Sequence, residues 1–283
     1  MTSVDIDSLR GWTGRKERRE DTITAAPVTN LLATLDRSDP APAQGDPIAP
    51  LAHWLYFLPL YRTDEAGPDG HAKRGGFLPP VPLPRRMWAG GRLEFRDPLR
   101  IGDRATKRST IADVSLKQGR AGPLVFVLVR HEIATARGIA LVEEHDIVYR
   151  DAPQPGEAAS APRAAPTQAP WQRTIEPSAL LLFRYSALTF NGHRIHYDRR
   201  YVTDVEGYPG LVVHGPLMAT LLLDLVHRKR PDARITRFEF RAVKPVFDVA
   251  PFQACGAPDG PSAKLWIADA QGALAMEARA GLA

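Results

Sequence analysis

The sequence predicts an α+β protein in which antiparallel sheet wraps a central helix. Three observations lead there. A long apolar helix pattern at 216–228 is followed by several short strand-like runs. An Ala/Pro-rich stretch, Asp151–Pro170, divides the chain into residues 1–150 and 171–283, and the second part repeats the helix-then-strand plan of the first. At 283 residues with 44% hydrophobic content, the chain is long enough for two such units, each with a core.

In the first part, Ser8–Asp21 has the charge density of a polar helix, and Asn30–Leu35 continues with helical spacing. The segment at 75–92, GGFLPPVPLPRRMWAGGR, holds too much Pro and Gly for regular structure and reads as a loop anchored by Phe77, Met87 and Trp88. Three strand-like runs follow. Gly91–Phe95 is short, Pro123–His131 is continuously apolar like a strand buried on both faces, and Ile139–Tyr149 carries charge in its middle. Asp151–Pro170 has no aromatic residue and no hydrophobic period, and reads as a semi-rigid extended linker.

In the second part, Leu180–Phe190 fits a strand or a short helix and leads into the polar loop NGHRIHYDRRY. Pro216 then stands where a helix begins, since its fixed φ suits the first turn. The pairs Leu217/Met218, Leu221/Leu222 and Leu225/Val226 recur every four residues and mark one apolar helix face. His227, Arg228, Lys229 and Arg230 suit the negative end of that helix. Arg234–Ala242, Pro251–Ala254 and Lys264–Asp269 read as strands.

Composition narrows the function. Lys and Arg total 37 against 32 acidic residues, a net charge of +5, with basic and acidic residues interspersed and no lysine-rich run. Nucleic acid is therefore not an expected partner. Thirty of the cations are Arg, whose forked guanidinium suits phosphates and carboxylates. The single cysteine, Cys255, excludes an internal disulfide and a cysteine-rich zinc site, and reads as inert. The first 21 residues lack the apolar stretch of a signal peptide, and no uncharged apolar run reaches the roughly 18 residues of a membrane span. A soluble, cytoplasmic protein is expected.

Histidine supplies the strongest functional signal. His193, His196 and His214 fall within 22 residues, flanked by Asn191 and Tyr197. A loop bearing Asn191 and His196 beside the helix that opens at His214–Gly215 would build a polar site at a positive helix end. No carboxylate accompanies these histidines at helical spacing, so no metal is expected. His131 and His145 lie in strand-like surroundings and read as structural.

The run from Phe183 to Leu225 resembles the hydratase motif of MaoC-like hot-dog proteins, with its loop histidine at His196, its partner five residues earlier at Asn191 and its helix-opening glycine at Gly215. The segments HWLYFLPLY, GPDGHAKRGGFLPPVPLPRRMWAGGR and GWTGRKERRED resemble the double hot-dog hydratases acting on mesaconyl-C4-CoA and itaconyl-CoA. The resemblance implies a double hot-dog fold, a pseudo-dimer in one chain. The first half would be non-catalytic and line the substrate, and the second would carry the chemistry. It implies hydration of a branched C5 dicarboxylyl-CoA to citramalyl-CoA with no cofactor beyond the CoA-thioester substrate, in a monomer or homodimer.

In that implied chemistry His196 moves the proton, Asn191 holds the water through its amide oxygen, and the Gly215 N–H binds the thioester oxygen. Where the wider family has Asp, this chain has Asn191, which cannot titrate. Arg85, Arg86, Arg184, Arg194 and His214 are candidates for the substrate's carboxylate and phosphates. A fatty-acid-type 3-hydroxyacyl-thioester dehydratase, a non-catalytic acyl-CoA-binding protein and a thioesterase remain open alternatives.

Overall fold

Among the described residues, ten antiparallel strands form one sheet. The structure is a computed structural model that describes residues 4–119, 122–151 and 161–283. The first half contains α1 (Ile6–Arg10), β1 (Lys16–Thr22), α2 (Ala25–Thr34), β2 (Arg85–Phe95), β3 (Arg104–Gly119), β4 (Gly122–Thr135) and β5 (Gly138–Arg150). The second contains β6 (Trp171–Ile175), α3 (Ala179–Leu188), α4 (Gly215–Lys229), β7 (Ile235–Ala242), β8 (Phe252–Asp259), β9 (Ser262–Ala268) and β10 (Leu274–Leu282). The spatial order is β1-β3-β4-β5-β2-β7-β10-β9-β8-β6, so each half contributes five contiguous strands. This is the α+β double hot-dog arrangement.

The halves join where β2 pairs with β7, from Gly90 opposite Arg241 to Glu94 opposite Arg237. Glycine is required there. A Cβ on Gly90 would lie 2.5 Å from the Phe240 carbonyl oxygen, and one on Gly91 would meet the Phe240 ring at 3.0 Å. A single buried cluster then runs across both halves, from Val28 and Leu31 of α2 through Leu93 and Ile133 to the leucines of α4.

Helix α4 is buried all round: the ten residues Leu217–Val226 are all inside, where the sequence pattern had indicated one apolar face. Strands β6, β8, β9 and β10 pack on it, and α2 belongs to the same buried cluster. The charged residue in that run is Asp224. Its carboxylate accepts from Arg37 at 3.0 Å, Arg173 at 2.7 Å and Arg228 at 2.7 Å. Arg173 and Arg228 also donate to the Leu35 carbonyl at the end of α2. A buried charge is tolerable only when paired in this way.

Several local expectations change. Ser8–Asp21 is not one helix but α1 and then β1, whose alternating charged side chains form an edge strand beside β3. The expected loop at 75–92 is irregular only to Pro84, because β2 already begins at Arg85. Strand β4 is not buried on both faces: Val125, Val127, Val129, His131 and Ile133 point inward and their neighbours are half-buried. Leu180–Phe190 is helical, as α3, and β3 and β10 complete the sheet. Of the expected linker, 152–160 lies outside the described residues; beyond it, Ala165 donates to Gly272 O at 2.9 Å and Leu274 to Arg163 O at 2.7 Å. Among the described residues no helix is long and apolar enough to cross a membrane.

Replacing Asp224 by Ala strands three guanidinium groups against the core. We expect a loss of about 3–5 kcal/mol in unfolding free energy, read from the urea midpoint.

Candidate active site

The loop between α3 and α4 is shaped by short-range bonds. Phe190 takes a positive φ of 49° and turns the chain out of α3. The Asn191 amide donates to Ser186 O at 2.8 Å, and Asn191 Oδ1 accepts from the His193 amide at 3.0 Å. A single 3₁₀ turn, Arg194–His196, follows.

His196 is buried, and its Nδ1 lies 2.7 Å from the Val212 carbonyl oxygen. A carbonyl can only accept, so Nδ1 carries the hydrogen and the neutral ring presents Nε2 as a bare lone pair. Burial drives the His196 pKa down to about 4, with the Val212 bond opposing and His71 adding a smaller push. The His214 ring stacks on His196, centroids 3.7 Å apart and planes at 17°. His214 Nε2 is 2.8 Å from Ser186 Oγ, and its buried Nδ1 has no partner among the described residues. His214 is thus packed behind His196, as a support for the ring.

Immediately after His214, α4 opens with Gly215 and Pro216, both partly exposed. Pro216 has no N–H, and the Gly215 N–H makes no backbone bond among the described residues. It sits at the positive end of a helix whose amides point outward. A Cβ at Gly215 would meet nothing nearer than the Trp88 carbonyl oxygen, at 4.0 Å.

The first half closes over this loop, an arrangement the sequence reading missed. Arg194 N donates to Asp69 O at 2.9 Å, its guanidinium to Pro68 O at 3.0 Å, and Tyr61 OH to Gly70 O at 2.6 Å. Gly70 has φ +87°, and a Cβ on it would fall 1.9 Å from the Gly192 carbonyl oxygen. Backbone therefore lies directly on backbone. The contact places His71 beside His193, ring centroids 4.0 Å apart, while His193 meets His196 edge-on at 5.5 Å.

His71 Nδ1 is 3.0 Å from Asp69 Oδ2. Burial opposes ionisation of Asp69, yet the bond from His71 and the nearby imidazoles hold its carboxyl well below the ordinary range. Burial, with His71 and His196 nearby, pushes His193 down to about 2.

The candidate arginines separate clearly. Arg85 is bound to Glu206 at 3.2 Å and to Tyr208 OH at 3.0 Å, and Arg194 forks onto Asp198 at 2.7 and 3.0 Å. Arg184 is exposed on α3. Arg86, the next residue on β2, faces the other way, opposite Tyr149, half-buried and without a carboxylate partner among the described residues. It lies close enough to His71, His193 and Tyr61 to bias their protonation. Donor atoms of Asp69, His71 and His193 lie within 4.8 Å of one another, a possible ligand set, but the fixed charge of Arg86 beside them disfavours a cation.

His131 and His145 belong to a separate buried network. His131 Nδ1 is 2.8 Å from Ser109 Oγ, and Glu143 takes His53 at 3.0 Å, Trp54 at 2.8 Å and His145. Cys255 is buried, and burial raises its thiol to about 11.

A family model described as hydroxyacyl-thioester dehydratase type 2 matches residues 51–248. Mesaconyl-C(4)-CoA hydratase of Chloroflexus aurantiacus is 46% identical over 280 residues, 98% of each chain. The mitochondrial hydroxyacyl-thioester dehydratase type 2 of Schizosaccharomyces pombe is 27% identical over 278 residues, 88% of this chain and 91% of its own. Among solved structures, a MaoC-like dehydratase from Phytophthora capsici aligns with a TM-score of 0.66 at 12% identity, covering 99% of both chains. HtdX of Mycobacterium tuberculosis aligns with a TM-score of 0.63 at 17% identity, covering 94% of this chain and 99% of its own. The two structures share the fold.

Buried neutral histidines make stability depend on pH. His193, His196 and His214 all have folded pKa values below their ordinary one, so the unfolded chain binds protons first as pH falls. Stability is complete above about 6.5 and declines below it, by about 1.4 kcal/mol per pH unit for each such ring. Urea midpoints at pH 7.5 and 5.5 should differ accordingly, and equal midpoints contradict the burial of neutral rings.

Proposed function

The chain belongs to the hydroxyacyl-thioester dehydratase type 2 family of MaoC-like hot-dog proteins, and from that footing we propose that it is a hydro-lyase adding water to the double bond of a branched C5 dicarboxylyl-CoA. The substrate is itaconyl-CoA or mesaconyl-C4-CoA and the product citramalyl-CoA. The observation that carries this reading is the His196–Val212 bond, which puts the hydrogen on Nδ1 and, in a ring that burial keeps neutral, leaves the Nε2 lone pair free.

Hydration of mesaconyl-C4-CoA, whose double bond is conjugated with the thioester, needs a base for water, an ordered water and a donor for the enolate oxygen. His196 Nε2 takes the proton from water, general-base work suited to a neutral imidazole. Asn191 keeps one lone pair on Oδ1 and its amide hydrogens free of protein partners among the described residues, so it holds the same water while its other lone pair fixes the loop on His193. Gly215 N–H, strengthened by the helix end, receives the charge that develops on the thioester oxygen; such a donor is worth about 3–4 kcal/mol. No metal or cofactor is needed for these steps.

The substrate assignment rests on the mesaconyl-C(4)-CoA hydratase relative and on Arg86. A half-buried guanidinium without a carboxylate partner among the described residues suits the second carboxylate of a dicarboxylyl chain. Arg184, exposed and unpaired among the described residues, suits the CoA phosphates, whereas Arg85 and Arg194 already hold carboxylates. The first half then acts as the substrate wall and the second as the source of the catalytic groups, one active site per chain. A second reading, dehydration of a straight-chain 3-hydroxyacyl thioester, is favoured by the Schizosaccharomyces pombe relative; such a chain would leave Arg86 without a partner.

Turnover of itaconyl-CoA, mesaconyl-C4-CoA and crotonyl-CoA, followed by mass spectrometry, separates the readings. We expect citramalyl-CoA from a C5 substrate and a loss of about 100-fold or more in His196→Ala. Turnover of crotonyl-CoA alone would favour the straight-chain reading, and no turnover of any of the three would contradict both.

A further inference from the structure

Hydration moves two protons. One leaves water, and another must join carbon. His196 accounts for the first, but its ring is buried against a neutral carbonyl, a poor place to hold positive charge between turnovers. The first half brings a second anchored imidazole to the same loop. His71 Nδ1 rests on Asp69 Oδ2 at 3.0 Å, which sets the tautomer, turns Nε2 away from the carboxylate and offsets charge on the ring. His193 lies between the two, 4.0 Å from His71 and 5.5 Å from His196, and its ring makes no hydrogen bond among the described residues. The imidazoles thus form a row that starts at a carboxylate.

The fold does not need the His71 ring for the loop contact. The loops dock through backbone, by Arg194 N on Asp69 O and by Gly70 against Gly192. Asp69 Oδ1 shapes its own turn by accepting the His71 amide at 3.1 Å, which leaves Oδ2 for the ring. A half-buried Asp–His pair facing an active-site loop is a common source of acid–base chemistry.

We propose that His71, held by Asp69, is the second acid–base group of this site: it exchanges the proton at the substrate's carbon while His196 exchanges the proton at oxygen. This rests on the hydratase reading above. In hydration of mesaconyl-C4-CoA, whose double bond is conjugated with the thioester, a water O–H bond breaks, its proton goes to His196 Nε2, and the oxygen bonds to the β-carbon. The π pair moves to the thioester as an enolate held at Gly215. The Nε2–H bond of His71 then breaks, and its proton joins the carbon as the pair returns. His196 passes its proton back to His71 through His193 or solvent, restoring the starting state.

The groups facing His71 are Asp69 on its own loop, Arg74 beyond that loop, Arg86 on β2, and His193 and His196 opposite. Burial and the two arginines lower the His71 pKa while Asp69 raises it, and the net direction is down. Hydration requires His71 protonated and His196 neutral, so kcat/KM falls as pH rises through the His71 pKa, below 6.5.

The test uses the full chain and whichever C5 enoyl-CoA the wild type hydrates. His71→Gln should lower kcat about 100-fold or more with KM within about threefold, and should abolish the alkaline limb of the pH profile. Asp69→Asn, which keeps the acceptor that shapes the turn, should lower kcat about tenfold, and it decides the matter if His71→Gln does not fold. In D₂O, His196→Ala should still exchange the carbon-bound proton of the hydrated product, and His71→Gln should not. A His71→Gln enzyme with wild-type kcat, with a loss confined to KM or with exchange intact overturns the proposal. So does a stoichiometric zinc ion held by wild type whose removal abolishes turnover. A wild type that hydrates no enoyl-CoA overturns this proposal together with the hydratase reading, whereas the other results leave that reading standing.

Discussion

The hydrogen bond from His196 Nδ1 to the Val212 carbonyl is the interaction on which the site depends. It settles which nitrogen is free and aims Nε2, while burial keeps the ring uncharged against the opposing effect of this bond. Val212 is itself fixed, since its amide donates to Ile195 O at 3.0 Å and it bridges to Phe247. The next residue, Val213, donates to Val246 O at 2.8 Å, so the chain enters α4 on a rail laid by the segment after β7. His196 and the Gly215 amide, 19 positions apart in sequence, are therefore set by one short stretch of backbone. A site that must hold two groups in fixed relation is best built on such a rigid support.

The two halves need each other. The seam between β2 and β7 merges their sheets, Asp224 ties α4 to Arg37 beyond α2 and to Arg173 on β6, and the loop at Gly70 seats the loop bearing Asn191 and His196 through Gly192. These joints add absence of bulk and neutralised charge to the apolar cluster that both halves share. Gly90, Gly70 and Gly192 let backbones touch where any side chain would hold them apart. In the proposed function, the first half thus contributes Asp69, His71 and Arg86 to the wall of a site whose base and oxyanion donor come from the second.

What the sequence discloses follows the range of the interactions involved. The histidine cluster and the start of α4 are legible because Asn191, His196 and Gly215 lie within one continuous run, and Pro216 signals the helix start locally. Asp69 and His71 are not, because more than a hundred residues separate them from His193 and no periodic pattern spans that gap. Arg85 and Arg86 are equivalent in sequence, but strand alternation sends one to Glu206 and the other toward the site. Strand β1 looks helical because, as an edge strand, it shows almost no apolar alternation. Strand β4 looks doubly buried because its outward Leu124, Phe126 and Leu128 are apolar although only half covered.

The state of the His196 ring can be measured directly by ¹⁵N NMR of histidine-labelled protein across a pH series. The structure predicts a neutral ring with hydrogen on Nδ1 and a lone pair on Nε2, unchanged from pH 8 down to about 5 and titrating only near about 4. A ring that carries its hydrogen on Nε2, or that becomes imidazolium near its ordinary pKa of about 6.5, would contradict it.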